Sequence, residues 1–160
     1  MKRILVMADT HGNKPAIARA IKQFPGIDMV IHLGDHAGDA AYVRTLTDAE
    51  VMAVRGNCDW SSDEKSKRLI DVDGKRILAV HGHKQNVKSS LLRLGLLAQE
   101  KGADIALFGH SHLPAEKLFG NVILYNPGSL GEPRHLRPSV GIVTIDGSRL
   151  SVKTHTVTNV

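Results

Sequence analysis

At 160 residues and 17.4 kDa, the chain can bury roughly 70% of its unfolded surface without help from disulfides, and one domain over residues 1–160 is expected. Its 42% hydrophobic and 23% charged residues exclude a disordered or fibrous chain. The net charge of +5 is spread without a basic run, and aromatics are only 4%, which argues against a nucleic-acid tail or a base-stacking platform.

The chain opens with a short apolar run at 3–8 that lacks helical periodicity and predicts a buried strand. Asn13 and Lys14 precede Pro15, a favourable first helical residue, and Ile17, Ile21 and Phe24 recur at helical spacing until Pro25-Gly26. A second strand is predicted at 29–33, a helix at 37–46 and a third strand at 50–54. A polar stretch, 60–67, leads to a strand at 69–72, and Asp73-Gly74 turns it into another at 76–80. Leu91, Leu94 and Ala98 mark what should be the longest helix, closed by Gly102. Strands follow at 104–108, at 118–125 with a turn at Gly120-Asn121, at 140–145 and, after Asp146-Gly147, at 150–157. The alternating first part predicts parallel strands covered by helices, and the strand-rich end an antiparallel extension: an α/β fold of two sheets or one mixed sheet.

Cys58 is the single cysteine, so no internal disulfide forms, and a reducing, cytoplasmic setting is expected. The run from Ile4 to Ala8 ends at Asp9, too early for a secretory signal, and no uncharged apolar stretch reaches membrane-spanning length.

The nine histidines raise a sharper question. The first strand runs into Asp9-Thr10-His11-Gly12, the second into Gly34-Asp35, the third into Gly56-Asn57, the 76–80 strand into His81-Gly82-His83 and the 104–108 strand into Gly109-His110-Ser111-His112. Ligands of open α/β sheets bind at the carboxyl ends of the strands. Asp9, His11, Asp35, Asn57, His81, His110 and His112 are therefore expected to converge there. Carboxylate, imidazole and amide ligands without thiolate suit manganese, iron, zinc, nickel or cobalt. Seven ligands exceed the needs of one ion and suit two, which together can clamp a phosphoryl group.

Asp9-Thr10-His11, Gly34-Asp35, Gly56-Asn57-Cys58-Asp59, His81-Gly82-His83 and Gly109-His110-Ser111-His112 resemble the ordered motifs of calcineurin-like metallophosphoesterases. The resemblance covers residues 1 to about 137 and is nearest to the small phosphodiesterase branch of bacteria and archaea, where a segment like Asn126-Pro127-Gly128-Ser129 is typical. It implies a four-layer αββα sandwich with two mixed sheets. It also implies a first metal on Asp9, His11, Asp35 and His112 and a second on Asp35, Asn57, His81 and His110, with Asp35 bridging. Manganese is the expected metal, with nickel, cobalt, iron and zinc as alternatives, and a hydroxide between the ions would attack a small phosphodiester.

Where many relatives carry a histidine after the motif asparagine, this chain has Cys58, a poor substitute for that role, which argues against efficient monoester hydrolysis on poor leaving groups and leaves room for phosphodiester hydrolysis. His83 is then either a proton donor to the leaving group or a hydrogen-bonding partner of a ligand. Asp59 either orients a ligand or caps a turn. Asn126, Gly128 and Ser129 either line the substrate pocket or form a structural turn, and Arg134 is a candidate phosphate contact. His32 reads as a hydrogen-bonded core residue and His155 as solvent-facing. A homodimer or homotetramer is expected; a membrane or long nucleic-acid partner is not. The competing function is a metal-binding interaction scaffold resembling the retromer small subunit, with little or no catalysis.

Overall fold

A computed structural model describes residues 1–60, 62–133 and 136–158. In chain order the elements are β1 (Lys2–Met7), α1 (Lys14–Gln23), β2 (Met29–His32), α2 (Asp39–Leu46), β3 (Glu50–Ala53), β4 (Lys67–Val72) and β5 (Lys75–Val80). A short 3-10 turn (His83–Gln85) then leads to α3 (Leu92–Glu100), β6 (Ile105–Leu107), β7 (Ala115–Phe119), β8 (Val122–Asn126), β9 (Ser139–Asp146) and β10 (Arg149–Thr156).

The strands form two five-stranded sheets, ordered β10-β9-β1-β2-β3 and β4-β5-β6-β8-β7. Both are mixed. In the first, β1, β2 and β3 run parallel while β9 and β10 pair antiparallel. In the second, β5, β6 and β8 run parallel, flanked by antiparallel β4 and β7.

The period-2 alternation of side chains sorts them into layers. Ile4, Val6 and Ala8 point from the first sheet onto Ile77, Ala79, Ile105 and Leu107 of the second, making the central core. The intervening Leu5 and Met7 face the other way, against Ala16, Ile17 and Ala20 of α1 and Val43 of α2. Leu78, Val80 and Ala106 on the outer face of the second sheet meet Leu94 and Ala98 of α3. Helices thus cover both outer faces of the paired sheets, the αββα sandwich that the motif resemblance implies. Asn13 caps α1, its side-chain oxygen accepting from the Ala16 N–H at 3.2 Å.

Two local expectations are corrected. The longest helix is α1, at 10 residues against 9 for α3, because Leu91 forms the N-cap of α3 instead of its first turn. His155 is not free in solvent: its ring packs on Phe24 at 4.9 Å between centroids. Among the described residues, no helix is long and apolar enough to cross a membrane.

Candidate metal centre

The parallel strands of both sheets end at one rim, and the loops there are cross-tied. Asp9 N–H donates to Gly34 C=O at 3.0 Å, joining the loops after β1 and β2. The His110 N–H donates to Asp9 Oδ2 at 3.1 Å, joining the two sheets. Close passage explains the glycines: a Cβ on Gly34 would sit 2.7 Å from Gly56 N, so neither loop has room for a side chain there.

Backbone strain concentrates at this rim. Asp9, His11, Asp35, His36, His110 and His112 all have positive φ, between 46° and 76°, and only two other described non-glycine residues do. Each such conformation costs about 1–3 kcal/mol and persists where surrounding structure enforces it, commonly at functional sites.

The strain brings ligand atoms together. One atom each from Asp9, His11, Asp35 and His112 lies within 4.8 Å of the others, and so does one each from Asp35, His81 and His110; Asp35 belongs to both groups. His112 Nε2 is 3.4 Å from Asp9 Oδ1, and His81 Nε2 is 3.4 Å from Asp35 Oδ1. These separations are long for hydrogen bonds. They match the ~3.4 Å between two ligands each about 2.1 Å from a tetrahedral ion. Asp9 Oδ1, His11 Nε2 and His81 Nε2 are buried without a hydrogen-bond partner, and such atoms are expected to have one. Divalent cations at the two groups would satisfy all three, so the residues fit the ions. Asn57 follows β3 at the same rim with an exposed side chain, its Nδ2 3.7 Å from Cys58 Sγ.

The histidine rings are oriented from behind. His81 Nδ1 lies 2.7 Å from the Leu33 carbonyl and His112 Nδ1 2.9 Å from the Glu132 carbonyl. A carbonyl only accepts, so both Nδ1 atoms carry a proton and both Nε2 atoms face the carboxylates, an arrangement common among metal-binding histidines. Burial pushes the Asp35 carboxyl up, but the His81 ring and the Cys58 amide more than reverse this and hold it well below the usual range. Burial resists protonation of His81, but the Asp35 and Asp9 carboxylates outweigh it and raise its pKa. Burial, then the neighbouring His81 charge, brings His110 down to about 4.

Among the described residues, Asp59 hydrogen-bonds no histidine ring. Its carboxylate accepts from the backbone N–H groups of Asp35, His36, Ala37 and Gly56 at 2.8–3.0 Å, which ties the loops after β2 and β3 together. His83 stands beside the second group, its ring 5.5 Å from that of His81 and 6.2 Å from that of His110. Burial, followed by the His81 charge, lowers its pKa. Burial and then the Asp35 charge push the Cys58 thiol up, which keeps it protonated and weakly nucleophilic.

Asn126 and Ser129 lie beneath the loops, 0% and 1% exposed. Asn126 Nδ2 donates to Gly109 C=O and Ser111 Oγ, and its Oδ1 accepts from Gly128 N–H. Ser129 Oγ donates to Asp9 C=O and accepts from Glu132 N–H. The Asn126–Gly128–Ser129 turn therefore supports the ligand loops and does not line their surface. Arg134 lies outside the described residues. A groove of about 600 Å³ opens beside the rim between α2 and the segment after β3, its walls including His36, Arg44, Cys58 and Trp60.

His32 is buried and hydrogen-bonded as expected, but the network it joins and the placement of Glu132 were not legible in the sequence. Buried His32 receives the Gly34 N–H at Nδ1 and donates from Nε2 to Thr10 Oγ1 at 2.8 Å; Thr10 in turn donates to Asp39, which also accepts from Gly12 N–H. This chain of bonds braces the Asp9–Gly12 loop from below. Asp39 signals only a helix start in the sequence, because its partners lie on another loop. Glu132 Oε2 is 3.8 Å from His11 Nε2.

Residues 1–148 match the family model for the calcineurin-like phosphoesterase superfamily domain. The chain is 32% identical over 152 residues to a Bacillus subtilis protein named "Probable metallophosphoesterase YsnB", covering 94% of this chain and 88% of that one. It is 28% identical over 177 residues to phosphodiesterase YfcE of Escherichia coli, covering 95% and 91%. The zinc complex of wild-type Vps29 from Entamoeba histolytica superposes with a TM-score of 0.76 over 98% of this chain and 93% of that one, at 22% identity, a likeness of fold.

Proposed function

The chain belongs to the calcineurin-like phosphoesterase superfamily and is a metal-dependent phosphoesterase; within that activity, we propose that it hydrolyses a small phosphodiester with two divalent ions, manganese first among them. Asp9, His11, Asp35 and His112 would hold one ion, and Asp35, Asn57, His81 and His110 the other. The observation that carries this reading is the membership of Asp35 in both ligand groups. Paired divalent ions bring the pKa of bound water towards neutrality and offset charge on the phosphoryl oxygens.

The chain's own residues supply the rest. His81 and His112, each held at Nδ1 by a backbone carbonyl, keep Nε2 aimed into the site. Asn57 offers a neutral amide oxygen, which adds no charge against an incoming phosphate. Asp59 fixes the backbone of Asp35. His83, next to the second group, is the residue we assign to donating a hydrogen bond to the leaving oxygen, since the Cys58 thiol is a weak donor. The exposed Cys58 suits a reducing, cytoplasmic setting.

The test is hydrolysis of bis-p-nitrophenyl phosphate in added Mn²⁺, abolished by Asp35→Ala and by His110→Ala. Absence of turnover across Mn²⁺, Ni²⁺, Co²⁺ and Fe²⁺ would overturn the proposal. A metal-binding interaction scaffold would instead bind metal in the same preparation and turn nothing over.

A further inference from the structure

We infer that Glu132 makes this site select singly charged phosphodiesters over doubly charged phosphomonoesters, a refinement that rests on the phosphodiesterase reading above. The backbone of Glu132 is fixed from two sides. Its N–H donates to Ser129 Oγ at 2.8 Å, and Ser129 donates onward to the Asp9 carbonyl at 2.9 Å. Its own carbonyl accepts from His112 Nδ1 at 2.9 Å. The residue is thereby anchored to Asp9 and His112, both in the first ligand group, and cannot shift without disturbing them.

From that anchor the side chain reaches Oε2 to 3.8 Å from His11 Nε2, with 61% of the side chain exposed. It stands at the mouth of the first group, whereas the Asp9 and Asp35 side chains are 0% and 4% exposed. Oε2 falls outside the cluster formed by Asp9, His11, Asp35 and His112, so Glu132 is a neighbour of the ligands and not one of them. Among the described residues no lysine or arginine pairs with it. On the side of the second ligand group, the charges of Lys88 at His110 and of Lys84 and Arg55 at His83 oppose those of Asp35.

A phosphodiester carries one negative charge, and its esterified oxygens carry none. A monoester, with a second pKa near 6, carries about two charges at neutral pH on three terminal oxygens. Whichever substrate binds, one side of its phosphoryl group faces Glu132. A diester can turn an ester oxygen there. A monoester with its leaving group towards His83 must turn a charged oxygen towards the Glu132 carboxylate. Like charges a few ångströms apart at a half-exposed site repel enough for about tenfold discrimination.

The test uses Glu132→Gln, which keeps the shape and every backbone bond. Its ratio of kcat/KM for p-nitrophenyl phosphate to that for bis-p-nitrophenyl phosphate should rise about tenfold over wild type, and Glu132→Asp should restore most of the wild-type ratio. Calorimetry on the Mn²⁺-loaded protein should show inorganic phosphate binding about tenfold tighter to Glu132→Gln, with Mn²⁺ affinity held within a factor of three. An unchanged ratio and unchanged phosphate affinity would overturn the inference. So would a tenfold loss of Mn²⁺ affinity, which would make Glu132 a ligand. If wild type hydrolyses neither ester, the phosphodiesterase reading fails, and phosphate calorimetry alone still decides whether Glu132 repels anions.

Discussion

His81 Nδ1 lies 2.7 Å from the carbonyl oxygen of Leu33, so one buried hydrogen bond joins the rim of the second sheet to that of the first. The bond fixes both the ring and its tautomer, and it leaves Nε2 facing Asp35 at 3.4 Å. Replacing His81 with Ala removes a proposed ligand and leaves the Leu33 carbonyl unpaired. The affinity for the second Mn²⁺ should fall more than about 100-fold and stability by about 1–3 kcal/mol, read by calorimetry and urea unfolding.

Asp59 is the most heavily used acceptor at the site, with four backbone N–H groups on one carboxylate. Asp59→Ala should destabilise the protein by about 2–4 kcal/mol, since water reaches this partly exposed position and replaces some of the bonds. Asp59→Asn keeps one acceptor oxygen and should lose about half as much. At roughly 2–4 °C per kcal/mol, thermal unfolding separates the two variants. A purely catalytic Asp59 would leave both melting curves at the wild-type position.

The order of elements was legible in the sequence because apolar runs, helical spacing and Gly/Pro punctuation all change at the observed boundaries. The candidate site was legible for a related reason. Each ligand type stands just past a strand end beside a glycine, and parallel strands deliver their ends to one rim. The pairing of strands into sheets was not legible. β9 joins β1 because Val143 and Ile145 complete the central core with Ile4 and Val6, a partnership that no local pattern specifies. The brace of His32, Thr10 and Asp39 was hidden likewise, since its members stand on three separate segments. Asn126 and Ser129 show the converse: polar residues near motif loops suggest substrate contacts, yet their side chains are consumed in supporting those loops.

Gly131 offers a steric test of that support. A Cβ there would collide with the Thr10 carbonyl, directly under the Asp9–His11 loop. Gly131→Ala should cost about 3 kcal/mol or more and abolish tight Mn²⁺ uptake. Gly38→Ala is the control. Gly38 has φ −59° with nothing within 4 Å of an added Cβ, so alanine should be neutral or stabilise by up to about 1 kcal/mol. Equal effects from both would refute the packing argument.

His32 gives stability a pH dependence of definite sign. Burial lowers its pKa to about 4 from 6.5 in the unfolded chain. Above 6.5 neither state binds the proton and the contribution is whole. As pH falls from 6.5 towards 4 the unfolded chain is protonated first, so stability drops, by an order of 3 kcal/mol, before levelling off. His32→Gln should flatten that slope in urea unfolding measured between pH 7.5 and 4. A slope as steep as wild type would assign the loss to other groups.

The most direct measurement counts the ions that must bind before turnover appears. Metal-free protein is titrated with Mn²⁺ while bis-p-nitrophenyl phosphate hydrolysis and bound metal are followed together. Activity should climb with the second equivalent, level off at two per chain, and be absent at every ratio in Asp35→Ala. Full activity at one equivalent, or without metal, would contradict it.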